Sequence, residues 1–278
     1  MWLRIIRQTP GKENLERCFA RCLYEDILSY FQVIKNSQCS PVQTLANQLT
    51  RSVFARQVGT TALTQGVILI ISLVTSAITA RWLGPAGKGQ LAMIFMVPGM
   101  LQMFLGLGLG PANVYYVAAG RLPIHQLTAN SVAFSILGTV VGFTVILLLL
   151  MSDLLTTVLP GVSSVYLMLG MIALPIGLLV NNFNAILQGL QRIYTLNILN
   201  IIRSLLTVSL LSILVIGLKY GILGAIIATL TAQFAMLIAI GCHIKQDGAH
   251  FWPKWKAKVI RPTLNYSLKC YVGNLLQF

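Results

Sequence analysis

Arg203 is the residue whose type and position most invite a chemical role. It stands about ten residues into an otherwise apolar run spanning 194–217. A charge at the centre of a membrane-spanning helix is unfavourable by a few kcal/mol or more unless it meets water, a partner or an anion. No acidic residue lies within any apolar run between 58 and 278, and Asp153 stands at the end of one. Two readings follow. In the functional one, Arg203 is a cation in a hydrated cavity, and its planar guanidinium holds an anionic group such as a phosphate. In the other, it snorkels or pairs with backbone carbonyls.

Polar side chains recur around it at helical steps. The first apolar run carries Thr61, Gln65, Ser72, Ser76 and Thr79. The fourth carries Asn181, Asn184, Gln188 and Gln191, and the fifth carries Asn197, Asn200, Ser204 and Thr207. Steps of 3, 4 and 7 stack side chains on one side of a helix. These stripes are expected to face the bundle interior or a wet cavity, since polar groups avoid lipid. The plainer account is hydrogen bonding between helices that holds the bundle together.

The constellations of catalysis are missing. His125, His243 and His250 fall in loops or at helix ends. No paired carboxylates, nucleophile with its base, or phosphate-cradling loop appears. Cys18, Cys22, Cys39, Cys242 and Cys270 include no CxxC pair. Cys18 and Cys22 share a helix face, but nothing completes a zinc site, so free thiols are expected. An enzyme, a metal and a cofactor are therefore not expected.

Composition dictates the elements that must position these residues. Of 278 residues, 56% are hydrophobic and 9% charged, against about 25% charged in an ordinary soluble domain. That is too little charge to cover a soluble surface. Six runs of spanning length are read as helices at roughly 58–80, 90–110, 128–150, 165–188, 194–217 and 221–243, with breaks or turns at Gly84-Pro85, Pro111, Pro123, Pro160-Gly161 and Gly221. Pro98 and Pro175 lie inside helices and are expected to bend them. Gly138 and Gly142, preceded by Ser131 and Ser135, give the third helix a small-residue packing face. The runs are too long for barrel strands, so an all-α integral membrane protein is expected.

The net charge is +14, from 20 basic and 6 acidic residues. No run interleaves aromatic with basic residues as a nucleic-acid surface would. With the N-terminus in the cytoplasm, the inner segments hold nine basic residues near the helices (Arg51, Arg56, Arg121, Arg192, Lys245, Lys254, Lys256, Lys258, Arg261). The outer ones hold Arg81, Lys88 and Lys219. The bias places both ends of the six-helix unit inside.

Three domains are expected. Residues 1–49 form an N-terminal cytoplasmic extension, with Leu15, Phe19, Leu23, Ile27, Phe31 and Ile34 at the spacing of an amphipathic helix. Residues 50–262 form a six-helix transmembrane lobe. Residues 263–278 begin a seventh helix. Sixteen residues rise about 24 Å, short of a crossing, so that helix reads as truncated.

One stretch resembles a known family. It runs Arg81-Trp82-Leu83-Gly84-Pro85-Ala86-Gly87-Lys88-Gly89 and, after Pro98, Gly106-Leu107-Gly108-Leu109-Gly110-Pro111-Ala112-Asn113-Val114-Tyr115-Tyr116. This is similar to the polysaccharide biosynthesis (oligosaccharide flippase) family, within the superfamily that includes MATE exporters. Leu264-Asn265-Tyr266-Ser267-Leu268-Lys269 looks like the opening of that family's seventh helix. The resemblance implies one lobe of a two-lobe flippase that moves lipid-pyrophosphate-linked sugars between leaflets of the cytoplasmic membrane.

The expected ligand is an anionic lipid-linked oligosaccharide, with membrane lipids and polysaccharide-assembly proteins as further partners and no nucleic acid. The expected substrate-binding set is Arg203, Asn181, Asn184, Gln188, Asn200, Gln65 and Arg81. A MATE-type drug or cation exporter is the rival transporter. Such exporters use intramembrane carboxylates, which this sequence lacks. A non-transporting fragment or assembly partner is the remaining alternative.

Overall fold

The computed structural model describes residues 41–106, 108–151, 163–246, 263–267 and 271, with side chains from Arg56 onward apart from Leu150. The amphipathic stretch expected over 15–34, the expected turn at Pro160-Gly161, most of the 245–262 loop and most of the expected seventh helix lie outside these residues. The chain divides into two compact units, Met1–Arg56 and Gln57–Phe278. The helices packed together below belong to the second.

Every described element is helical: α1 (Pro41–Leu105), α2 (Leu109–Ala118), α3 (Ile124–Met151), α4 (Ser164–Met171), α5 (Ala173–Gly189), α6 (Ile193–Leu211) with a π-helical end (Ser212–Gly217), and α7 (Gly221–Gln246). A short helical segment follows at 263–267. Five stretches are long and apolar enough to cross a membrane. The first, Arg56–Leu105, has 50 residues, a rise of about 75 Å and more than twice the hydrocarbon thickness. It is interrupted at Gly84 (φ 71, ψ 175), a conformation open essentially to glycine alone. Two arms result, 57–83 and 85–105, so the five stretches supply the six expected crossings. Pro85 opens the second arm, where a missing N–H is harmless.

One expected boundary moves. The second apolar run does not stop at Pro111. The break lies three residues earlier, at Gly108 (φ 66) before α2, and Pro111 sits in the first turn of α2, where its nitrogen has no partner to lose. Gly108 is also where the chain tolerates no side chain: an added Cβ would stand 2.7 Å from the Ser267 carbonyl oxygen. The fourth run crosses as one stretch, Ser164–Gly189; its hydrogen bonding is interrupted at Ile172, whose backbone stays helical (φ −61, ψ −24), one turn before Pro175, where an interior proline has no N–H to donate. Pro98 causes no break in the second arm.

Packing centres on α5. Its Val180, Phe183, Ile186 and Leu187 are buried with Leu196 and Leu199 of α6 and Met236, Ile240 and Ile244 of α7. Leu174 and Leu178 form a second cluster with Ile146 of α3 and with Leu167 and Met171 of α4. Gly138 and Gly142 of α3 face Leu178 and Leu174 of α5 and Leu105 of α1, so the expected small-residue face is a packing face. The first arm closes against the far end of α6 and the start of α7, where Ile78 and Leu83 pack against the cluster of Leu211, Val215, Ala225 and Ala228. Apolar side chains also cover the outside, including Leu63, Ile70, Leu73, Leu148 and Ile213. A soluble domain does not expose so continuous an apolar surface; a lipid-embedded one must.

Candidate functional site

Helix α6 has two unlike faces. Ile198, Ile202, Leu205, Ser209 and Ile213 are exposed, while Asn197 is buried and Asn200, Arg203, Ser204 and Thr207 are half-buried opposite them. The Asn197 amide donates to Thr61 Oγ1 at 3.1 Å, which ties α6 to the first arm of α1. The remaining hydroxyls close on their own helix: Ser204 Oγ donates to the Asn200 carbonyl and Thr207 Oγ1 to the Arg203 carbonyl. Thr61, Thr64, Thr75 and Thr79 likewise donate to carbonyls three or four residues back. Most of the Ser/Thr stripes are therefore satisfied within their own helices, neither gluing helices nor offering free donors.

Helix bridges come instead from amide side chains. Asn113 donates to Ser131 Oγ, Asn182 to Ser135 Oγ, Asn130 to Thr263 Oγ1 and Gln102 to the Ala173 carbonyl. None of these four amides was singled out by helical spacing. Ser131 and Ser135 were, but only as small residues. Their hydroxyls are buried, and a buried hydroxyl needs a partner.

Arg203 stands apart. Among the described residues there is no Asp or Glu, and no side chain or carbonyl accepts a hydrogen bond from its guanidinium. Asn200 lies one turn below it. The Thr61–Asn197 bond joins residues 136 apart, and farther along both helices Ile78 of the first arm packs against the cluster that holds Leu211 and Val215. The first arm and α6 therefore run parallel, with Arg203 level with Val67. Gln65 is within about 3 Å of that level; it is exposed, one turn on from Thr61 at the edge of the same side of the arm. Of the two surroundings expected for this stripe, the bundle interior or a wet cavity, the exposure of Gln65 leaves the second; over 57–80 the packed side of this arm is set by residues 57, 60, 61, 64, 68, 71, 75, 76, 78 and 79.

The fourth stripe takes a different form from the one expected. Asn181 and Gln188 are the exposed residues of α5, whose other 15 of 17 positions are buried or half-buried. Asn184 lies between them with its Oδ1 buried and unpartnered. The most enclosed helix of the bundle thus reaches the surface along a polar line. Its buried amide is Asn182, which lies off that stripe. Arg81 is exposed near the end of the first arm.

Lys88 was expected in an outer loop. It lies instead on the second arm, half-buried, with its Nζ donating to Ser76 Oγ at 2.6 Å. Near the other end of that arm, Tyr115 and Tyr266 stack with centroids 4.7 Å apart, and the Arg121 guanidinium lies 5.4 Å over Tyr115.

The polysaccharide biosynthesis protein family matches residues 54–277. No curated protein sequence matches the chain. Among solved structures, a MATE transporter in complex with Br-NRF is similar over 79% of this chain and 53% of its own, at 19% identity and a TM-score of 0.60. The Vibrio cholerae MATE transporter VcmN in the bent form is similar over 80% and 55%, at 17% identity and a TM-score of 0.57. A Pyrococcus furiosus MOP superfamily transporter, described as having a binding pocket of reversed polarity, is similar over 79% and 52%, at 18% identity and a TM-score of 0.57. At these identities the likeness is one of fold, and the chain spans about half the length of each. It is a multi-pass membrane protein with the helical fold of MOP superfamily transporters, and it belongs to the polysaccharide biosynthesis protein family.

Proposed function

We propose that the chain serves in flipping a lipid-linked oligosaccharide across the cytoplasmic membrane, with its N-terminus inside, and that it carries out no covalent chemistry on its ligand. Arg203 carries the reading. It is a cation on the inward face of α6, at mid-helix, with no described carboxylate near enough to neutralise it. An anionic headgroup such as a pyrophosphate satisfies such a group, and a cationic drug does not. The polar line of Asn181, Asn184 and Gln188 offers amides to sugar hydroxyls, with Asn200 beside Arg203. The match to the polysaccharide biosynthesis family supports a carbohydrate cargo.

The test is expression of the whole chain, alone and with a candidate second half, in a cell lacking its own oligosaccharide flippase. Return of surface polysaccharide is expected from a complete assembly. A strain in which every combination fails, yet which becomes resistant to cationic dyes, would overturn the reading in favour of cation export. Orientation is tested by cysteine labelling: a cysteine at Arg192 is expected to be protected from an impermeant reagent and one at Lys219 to react. The reverse pattern would overturn the topology.

A further inference from the structure

Lys88 is a second half-buried cation, and its placement is unusual for a lysine near a helix end. Residues 12 apart in a continuous helix are separated by about 18 Å. The Lys88–Ser76 bond therefore exists only because the chain doubles back at Gly84. Reversal about Gly84 sets position 88 opposite position 80, so Ser76 is one turn, or about 6 Å, deeper. A lysine at the end of a spanning helix ordinarily stretches its ammonium toward water. This one stretches the other way.

Ser76 supplies one neutral acceptor to a group with three donors and a full charge. No Asp or Glu is present among the described residues to neutralise it. The level of the ammonium follows from the parallel alignment of the first arm and α6. Arg203 is level with position 67, and Ser76 lies nine residues farther along, about 13 Å. Position 76 is level with Ser212, where α6 gives way to its π-helical end. Such π segments recur at functional sites.

We propose that Lys88, held by Ser76, is a second phosphate-binding station, which receives the anionic headgroup about 13 Å beyond Arg203. This rests on the flippase reading for its direction of travel, but not for its chemistry. The ligand class is a phosphate or pyrophosphate, either on a polyprenyl lipid or free. The ammonium binds it as a point charge, while the Ser76 hydroxyl keeps the lysine turned inward when no anion is present.

The test is binding of farnesyl pyrophosphate and of inorganic pyrophosphate to the full chain in lipid nanodiscs, for the unmodified protein and for Lys88→Gln, Lys88→Arg and Arg203→Gln. Lys88→Gln is expected to weaken binding about tenfold with no change in the melting temperature of the ligand-free protein, and Lys88→Arg to recover most of the loss. A tenfold preference for farnesyl pyrophosphate identifies a lipid headgroup; equal affinities identify a free anion, and either supports the station if Lys88→Gln weakens it. Unchanged binding in Lys88→Gln together with weakened binding in Arg203→Gln overturns the station and leaves the flippase reading standing. Weakened binding in Lys88→Gln alone keeps the station and removes the support Arg203 gives that reading. No binding by the unmodified chain overturns both. Loss of binding in Lys88→Gln with a lowered melting temperature and no rescue by arginine shows a structural tie between the arms, and overturns the station.

Discussion

Replacing Arg203 by alanine should move two observables in opposite directions. An arginine at the centre of a spanning helix disfavours insertion by about 2.5–3.5 kcal/mol, or roughly 70- to 400-fold in the insertion equilibrium. Arg203 is half-buried on the packed face of α6, so bundle assembly relieves part of this and the observed gain should be smaller. Membrane abundance of Arg203→Ala should accordingly equal or exceed that of the unmodified chain. Binding of an anionic lipid should fall, because a hydrogen bond to a charged group contributes about 1.5–3 kcal/mol, equivalent to roughly 10- to 150-fold in affinity. Arg203→Lys should lie between the two, since the charge survives and the bidentate fork does not. Abundance is read by immunoblotting of the membrane fraction, and function by farnesyl pyrophosphate affinity and by transport in a flippase-deficient cell. Normal binding and transport at normal abundance would refute the anion role. A parallel fall of abundance and function would refute it too, by marking the guanidinium as structural.

Three further outcomes are expected. Gly108→Ala places a methyl 2.7 Å from the Ser267 carbonyl and forces alanine to φ 66; the left-handed conformation alone disfavours it by about 1–2 kcal/mol, so the melting temperature should drop, whereas Gly99→Ala, with open space around it, should change it little. Asn182→Leu and Ser135→Ala each break the buried 3.1 Å bond between α5 and α3; a double-mutant cycle on thermal stability should give a coupling of about 0.6–1.7 kcal/mol, and a coupling of zero would remove that bond from the account of the bundle. The cysteine-labelling pattern at Arg192 and Lys219 should place the two turns on opposite sides of the membrane.

The crossings were legible because apolar runs of about 20 residues have few other uses. Their internal breaks were less so. Pro111 is expected at a break, yet it lies in the first turn of α2 and the interruption falls at Gly108, while Pro175, expected to bend its helix, follows the interrupted turn at Ile172 by three residues. At Pro111 the chain breaks three residues before the proline, whereas Pro98 sits within a continuous arm. The hydroxyl stripes misled for a different reason. Serine and threonine can satisfy themselves on the carbonyl one turn back, so their spacing carries little information about what lies across from them.

Asparagine, glutamine, lysine and arginine differ because none has so easy an internal partner. That difference decides which polar residues of this bundle report on function. Asn113, Asn130 and Asn182 are consumed in bridges to neighbouring helices. Asn181 and Gln188 emerge at the surface from a helix that exposes nothing else, which would be a poor arrangement against lipid and a suitable one against a hydrated cleft. The placement of Lys88 could not have been read from spacing at all. It depends on how sharply the chain turns at Gly84, and that turn is a property of one glycine's backbone. In the proposed reading, Arg203 of α6 and Lys88 of the second arm are two half-buried cations whose levels differ by about 13 Å along the bundle, with no acid among the described residues, so an anion is favoured at both levels. A small cation would meet repulsion at each, and this sign is why an anionic cargo is the stronger reading despite the likeness of fold to MATE transporters.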